Sequence, residues 1–310
     1  MQIKIDKTLL LNSKNRIVIY LIGFAITYIM LSPLVLSPFY DYLLFHPDHK
    51  YHNEVDKPLH ELATKFKATK QDLYIAVSEH KKIHAWYLKE QNAKRTFLIS
   101  HGNGGNICYR LELIASLLKY GSVFIYDYEG YGKSDGIPSR SAICIDGLAA
   151  YDCLTKQYSI KPSQIILYGE SLGCSVACQI SKSHPVGGII LQSGWASLLE
   201  KARDLFGLLR LYPDWMFGEP LLDNVAVLSK PHAPLLLIHG EQDKVLPCRY
   251  SLELYAKACE PKTLTLIPKA SHNDVTDADP VLYSQALNNF LTEISEQNAY
   301  RNKQNTKLLQ

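Results

Sequence analysis

The chain has 310 residues, enough for one large α/β domain with a sizeable core, and its length alone does not require two domains. With 47% apolar and 20% charged residues it has a globular composition, which excludes a disordered chain. Its net charge of +3, from 33 basic and 30 acidic residues, is too balanced for a nucleic-acid partner, which would require a basic stripe or an extreme isoelectric point.

The first element is apolar. No charge interrupts the stretch between Arg16 and Asp41, IVIYLIGFAITYIMLSPLVLSPFY. About 20 apolar residues span a hydrocarbon core of about 30 Å. Residues 17–36 are therefore expected to be a single-pass membrane anchor, weakened at its far end by Pro33. A buried core helix would carry a polar stripe, and a cleaved signal would have a shorter apolar run and a small-residue exit. Lys4, Lys7, Lys14 and Arg16 precede the segment, whereas only Lys50 and Lys57 follow it closely. The positive-inside rule then keeps residues 1–16 cytoplasmic and puts the main domain on the non-cytoplasmic side. The unpaired cysteines pull the other way.

Residues 37–70 read as a linker or cover segment. His46, Asp48, His49, His52 and Glu54 invite a metal reading, but their spacing matches no common zinc pattern. From residue 71 short β-rich runs alternate with helical patterns. The runs are Leu73–Val77, His84–Leu88, Thr96–Ser100, Val123–Tyr126, Gln164–Tyr168, Gly188–Leu191, Pro234–His239 and Thr263–Ile267. From the third onward they are mostly continuous apolar runs, as strands buried on both faces require. Helices are expected over Arg110–Leu118, Ser141–Tyr158, Leu172–Ser181, Arg249–Lys257 and Pro280–Ile294. This alternation predicts an α/β domain over 71–295 with a mostly parallel eight-stranded sheet. Residues 195–224, rich in Leu, Trp and Phe and lacking a strand run, read as a helical lid or pocket wall, with an ordinary packing pair as the alternative. A polar tail, 296–310, is expected to fray. The seven cysteines lie mostly in apolar patterns without a C-x-x-C pair and read as buried small hydrophobes.

Two segments match G-x-S-x-G, and context separates them. A nucleophile elbow requires a strand running into it and a helix leaving it. Gly132–Gly136 (GKSDG) follows a Tyr/Gly loop and runs into Ile137-Pro138, which is a turn. Gly169–Gly173 (GESLG) follows IILY and opens LGCSVACQI, with Gly169 and Gly173 allowing strand and helix to approach around Ser171. A serine hydroxyl needs a base oriented by a carboxylate. PLLLIHG leads to Asp243, with Glu241 as the near rival and Glu200, Asp204 and Asp214 as distant ones. TLTLIP leads to His272, which alone among the eleven histidines follows the last strand; His239 reads as a satisfied strand-end residue.

An oxyanion requires two donors, each worth about 2.7–4 kcal/mol. The Leu172 N–H is one candidate, and the Asn103 N–H, with Gly104 as alternative, is the other. Both of the latter lie on the turn His101-Gly102-Asn103-Gly104-Gly105-Asn106, where the glycines remove the steric barrier. A phosphate-binding loop is disfavoured, because the Lys-Ser/Thr ending is missing.

The combination of HGNGGN, YDYEGYGKSDG, GESLG, HGEQDKVLP and KASHND resembles the alpha/beta-hydrolase superfamily across about residues 71–295. Within it, the resemblance is to membrane-anchored alpha/beta-hydrolase-domain proteins whose eukaryotic relatives include protein depalmitoylases. The resemblance implies a nucleophile, acid and base at Ser171, Asp243 and His272, and places the Asp127–Gly136 loop beside the active-site mouth. The chain departs from some of those relatives in having a hydrophobic segment where they carry a cysteine-rich N-terminus. The expected function is a serine hydrolase acting on carboxylic esters or thioesters, with a lipidic or acylated substrate and neither metal nor organic cofactor. Peptide or amide hydrolysis, or a non-catalytic membrane-tethered scaffold, are the alternatives. A dehalogenase would need Asp in place of Ser171. Oligomeric state stays open.

Overall fold

The computed structural model describes residues 13–308. Beyond Arg16, helix α1 (Ser13–Met30) is apolar on every side and almost wholly exposed, and α2 (Pro33–Leu44) follows after a break at Leu31-Ser32. The expected anchor 17–36 therefore comprises α1 and the first turn of α2, since the Pro33 ring cannot continue α1's hydrogen-bond ladder. Together, Asn15–Leu44 is long and apolar enough to cross a membrane. Most of the expected 1–16 segment lies outside the described residues.

Helix α3 (Asp56–Lys65) buries Leu59 and Ala63 against the sheet, so the stretch expected as a linker contributes to the core. Eight strands follow: β1 (Ala68–Ser78), β2 (Lys81–Glu90), β3 (Thr96–Ser100), β4 (Ser122–Tyr126), β5 (Ile165–Glu170), β6 (Gly188–Gln192), β7 (Leu235–Gly240) and β8 (Lys262–Ile267). They form one sheet in the order β8-β7-β6-β5-β3-β4-β2-β1. β1 and β2 pair antiparallel, as do β2 and β4, and all other neighbours are parallel. Strands β3 to β7 are buried along their length, save the partly exposed Glu170 at the end of β5, because crossover helices cover both faces. Successive side chains alternate between the faces: in β3, Phe97 and Ile99 join one apolar cluster and Leu98 the other.

Helices α4 (Leu111–Leu118), α5 (Arg140–Asp152), α6 (Gly173–Ser183), α7 (Leu198–Leu205), α8 (Asn224–Leu228), α9 (Arg249–Lys257) and α10 (Pro280–Leu308) complete the fold. Helix α5 stops six residues short of the expected Tyr158 and passes into a π turn at Cys153–Gln157. Helix α10 continues to Leu308, through the stretch expected to fray. The insertion leaves the body at Ser197 and returns at Asp223, and these two residues bridge antiparallel at its base. Between them lie α7 and two short 3-10 turns, Gly207–Leu211 and Asp214–Phe217.

Candidate active site

All the candidate residues sit past the carboxyl ends of parallel strands, where strands end and helices begin. Ser171 leaves β5 with φ +52°, a left-handed conformation costly for a non-glycine residue and here enforced by its neighbours. Its N–H donates to the Gln192 carbonyl at 2.8 Å, and its own carbonyl accepts from Cys174 N–H at 3.1 Å. A Cβ on Gly169 would stand 2.5 Å from Cys174 Cα, and one on Gly173 would stand 1.8 Å from the Ser100 carbonyl oxygen. The turn is thus tight because both flanking positions are glycine.

The loop after β7 carries Asp243, which is buried. Its Oδ1 accepts Val245 and Leu246 N–H groups, each at 2.8 Å. Its Oδ2 lies 2.6 Å from His272 Nδ1 and 3.2 Å from His239 Nε2. Burial pushes the Asp243 carboxyl up, but the hydrogen bonds from His239, His272 and Leu246 outweigh it and hold the group well below the usual carboxylate range. An ionised Asp243 can only accept, so His272 carries its proton on Nδ1. The free lone pair of Nε2 then faces Ser171 Oγ, 3.1 Å away. The rival carboxylates are elsewhere: Glu200 and Asp214 pair with Arg203, and Asp204 pairs with Arg210 and Arg249.

Beyond β3, the glycine-rich turn is held at several points. The Gly102 N–H donates to Glu170 Oε2 at 3.1 Å, and Glu170 pairs with Arg110 at 2.7 Å. Arg110 in turn donates to the Gly104 carbonyl at 2.9 Å. His101 is buried and packs at a tilt against Tyr128, with ring centroids 4.5 Å apart. The Asn103 side chain donates through Nδ2 to the Leu44 carbonyl at 2.6 Å, and its Oδ1 accepts from Tyr131 O–H at 3.0 Å and His46 N–H at 3.3 Å. Among the described residues neither the Asn103 nor the Leu172 backbone N–H donates to another protein group. Immediately after α2, His46–Pro47 pairs in parallel with Gly104–Gly105. The N-terminal segment is therefore built into the turn.

These groups open onto a cavity of about 1150 Å³. Ser171, His272 and Asn103 line it on one side; α2 (Tyr40, Leu43) and the insertion (Leu199, Leu205, Phe206) form an apolar wall. The Asp127–Gly136 loop supplies no lining residue itself but backs the turn that does, with Tyr131 O–H donating to Asn103 Oδ1. It lies beneath the turn, with Asp127 Oδ1 accepting Ile107 N–H at 2.9 Å and Ser134 Oγ donating to the Asp127 carbonyl at 2.9 Å. The second G-x-S-x-G is a structural knot there. Three contributors escaped sequence reasoning: His239 as a partner of Asp243, the Glu170–Arg110 pair, and Leu44 with His46. Strand-end position alone gave no signal for them.

Among the described residues no three His, Cys, Asp or Glu side chains converge as a metal site. In the polar cluster of residues 46–54, Asp48 accepts from Tyr109 O–H at 2.8 Å and lies 2.7 Å from His52 Nε2.

Comparison with known proteins gives the same architecture. Residues 91–221 match the family model described as serine aminopeptidase, S33. Alpha/beta hydrolase domain-containing protein 17B of Homo sapiens is 30% identical over 213 residues, covering 66% of this chain and 68% of the relative. The chain belongs to the alpha/beta-hydrolase family. Its member WAV2 of Arabidopsis thaliana is 31% identical over 227 residues, covering 66% of this chain and 72% of the relative. Among solved structures, an esterase of Pyrococcus furiosus superimposes with a TM-score of 0.65 at 20% identity, over 81% of this chain and 98% of the esterase. At that identity the superposition speaks for the alpha/beta-hydrolase fold alone.

Proposed function

We propose that this alpha/beta hydrolase is a membrane-anchored serine hydrolase that cleaves ester or thioester bonds of substrates with an apolar acyl chain. The observation that carries this reading is the chain of contacts Asp243–His272–Ser171, at 2.6 and 3.1 Å, at the foot of an apolar-walled cavity. Ser171 Oγ attacks the carbonyl carbon while His272 Nε2 takes its proton, and Asp243 steadies the imidazolium through Nδ1–H. The Leu172 and Asn103 N–H groups receive the oxyanion. His272 then protonates the departing alcohol or thiol, and water, deprotonated by the same histidine, releases the acid from the acyl-enzyme.

An aminopeptidase reading, suggested by the family model's description, would need a free carboxylate to hold the substrate's ammonium group. Of the four carboxylates on the cavity wall, three are paired: Glu170 with Arg110, Asp41 with Arg140 and Asp48 with His52. The fourth, Glu112, lies against Asp277, whose negative charge pushes its pKa up and so weakens it as a site for an ammonium group. Together with the apolar wall this favours acyl esters or thioesters. Helix α1 supports the anchor, since an exposed helix apolar on all sides is stable in lipid rather than in water.

The test is fluorophosphonate labelling of the full chain in membranes, alongside Ser171→Ala, and hydrolysis of p-nitrophenyl esters of rising chain length against aminoacyl-anilides. The expected result is labelling that Ser171→Ala abolishes and a preference for esters with longer acyl chains. Unlabelled folded protein would sink the enzymatic reading, and faster anilide cleavage would shift it to amide chemistry.

A further inference from the structure

The insertion carries more exposed apolar surface than its role as a cavity wall requires. From the end of α7 to the last 3-10 turn, Leu205, Phe206, Leu208, Leu211 and Trp215 are 54–76% exposed, while Leu209 and Phe217 of the same segment are buried in a small cluster with Leu199 and Tyr40 of α2. A cluster of this kind marks a surface that another apolar phase covers. Two contacts indicate which phase. Near the end of α1, Tyr28 O–H donates to the Leu211 carbonyl at 2.7 Å, and the Tyr28 ring stacks on Tyr212 with centroids 4.6 Å apart. The exposed face is therefore continuous with the exposed apolar surface of α1.

Arg140 fixes this arrangement from behind. It pairs with Asp41 at 2.8 Å and donates to Ser37 Oγ of α2 at 2.7 Å and to the Phe217 carbonyl of the insertion at 3.0 Å. The segment has no cationic excess: Arg203 pairs with Glu200 and Asp214, Arg210 pairs with Asp204, and Lys201 is offset by Glu219. Anionic headgroups are thus not needed to hold it. Leu205 and Phe206 are both exposed and on the cavity wall, so they form its rim.

Resting on the anchor reading above, we propose that this face of the insertion is seated in the bilayer that α1 enters, so that the cavity takes its acyl substrate directly from the lipid phase. Trp215 reports on it cleanly. It is 70% exposed, whereas Trp86 and Trp195, the two other tryptophans, are 0% and 5% exposed.

The experiment reconstitutes the full chain in phosphatidylcholine vesicles, with and without lipid brominated along its acyl chains, and reads tryptophan fluorescence. The expected result is quenching by the brominated lipid that Trp215→Phe removes, together with protection of Trp215 from aqueous acrylamide. Acrylamide access without bromine quenching overturns the proposal. So does protection from both quenchers with crosslinking between copies, which would mean that a second copy covers the face. In the Trp215→Phe background, Phe24→Trp reports on α1. Quenching there without quenching at Trp215 keeps the anchor and rejects the seated insertion; no quenching at either position rejects both.

Discussion

Gly173→Ala tests whether close packing of the elbow against β3 sets the geometry of the site. The added Cβ would meet the Ser100 carbonyl oxygen at 1.8 Å, the Ser100 carbonyl carbon at 2.4 Å and the His101 carbonyl oxygen at 2.8 Å. All three are backbone atoms, two at the end of β3 and one at the start of the glycine-rich turn, so no side chain can swing aside. Restoring an ordinary contact requires α6 and β3 to part by roughly 1.5 Å, an overpacking that costs about 3 kcal/mol. That corresponds to a fall in Tm of roughly 6–12 °C. The same displacement separates Ser171 from Asn103, and a misplacement of about 1 Å lowers the rate by roughly 100-fold. Gly207→Ala, away from the oxyanion turn, is the control, since nothing lies within 4 Å of its added Cβ. Both variants are compared by melting temperature and by the rate of fluorophosphonate labelling. A Gly173→Ala protein that melts and labels like the wild type would refute the steric argument.

Asp243→Asn should lower the labelling rate by roughly 10³- to 10⁴-fold with the fold retained, because an amide in place of the carboxylate no longer fixes the proton on His272 Nδ1; circular dichroism and labelling kinetics check this together. Arg140→Ala should cost about 2–3 kcal/mol, since it strands the largely buried Asp41, and limited proteolysis should then find new cuts near residues 31–44 and 207–217. Asp146 is buried, and burial pushes its carboxyl up to about 8, against the pull of the Glu129 N–H. The native state thus holds a proton that the unfolded chain releases near pH 4, and stability contributed by this group is lost as pH rises from about 4 through 8, by up to about 1.4 kcal/mol per pH unit. Denaturant melts of Asp146→Asn should show a flatter dependence over that window, and an unchanged slope would reject the assignment. The positive-inside reading predicts that protease admitted to the non-cytoplasmic face of the anchoring membrane removes the C-terminal helix, whereas removal by protease confined to the cytoplasmic face would refute it.

The central strands were legible because burial on both faces writes them as unbroken apolar runs: FLIS, VFIY and IILY all became strands. Ser171 was separable from Ser134 because a strand and a helix flank only the first. What escaped is non-local. Asn103 is tied to Leu44 across 59 residues and to Tyr131 across 28, and no pattern within either segment announces the pairing. His239 was expected to be satisfied at its strand end, and it is, by Ser251 and Leu246; its additional contact with Asp243 depends on how the next loop folds back. Helix α5 changes to a π turn at Cys153, and α10 extends past Ile294, at positions where amphipathic periodicity carries no signal for either.

The pairing of His46–Pro47 with Gly104–Gly105 bears on how a soluble form of the protein should be made. Truncation at residue 71, the domain start suggested by the sequence, would discard the Leu44 carbonyl and the His46 N–H that hold Asn103, along with the buried Leu59. A cut between Met30 and Pro33 removes α1 and leaves every one of those groups in place. The unit that can be expected to turn over substrate in free solution therefore begins some forty residues earlier than the unit that looks like a domain.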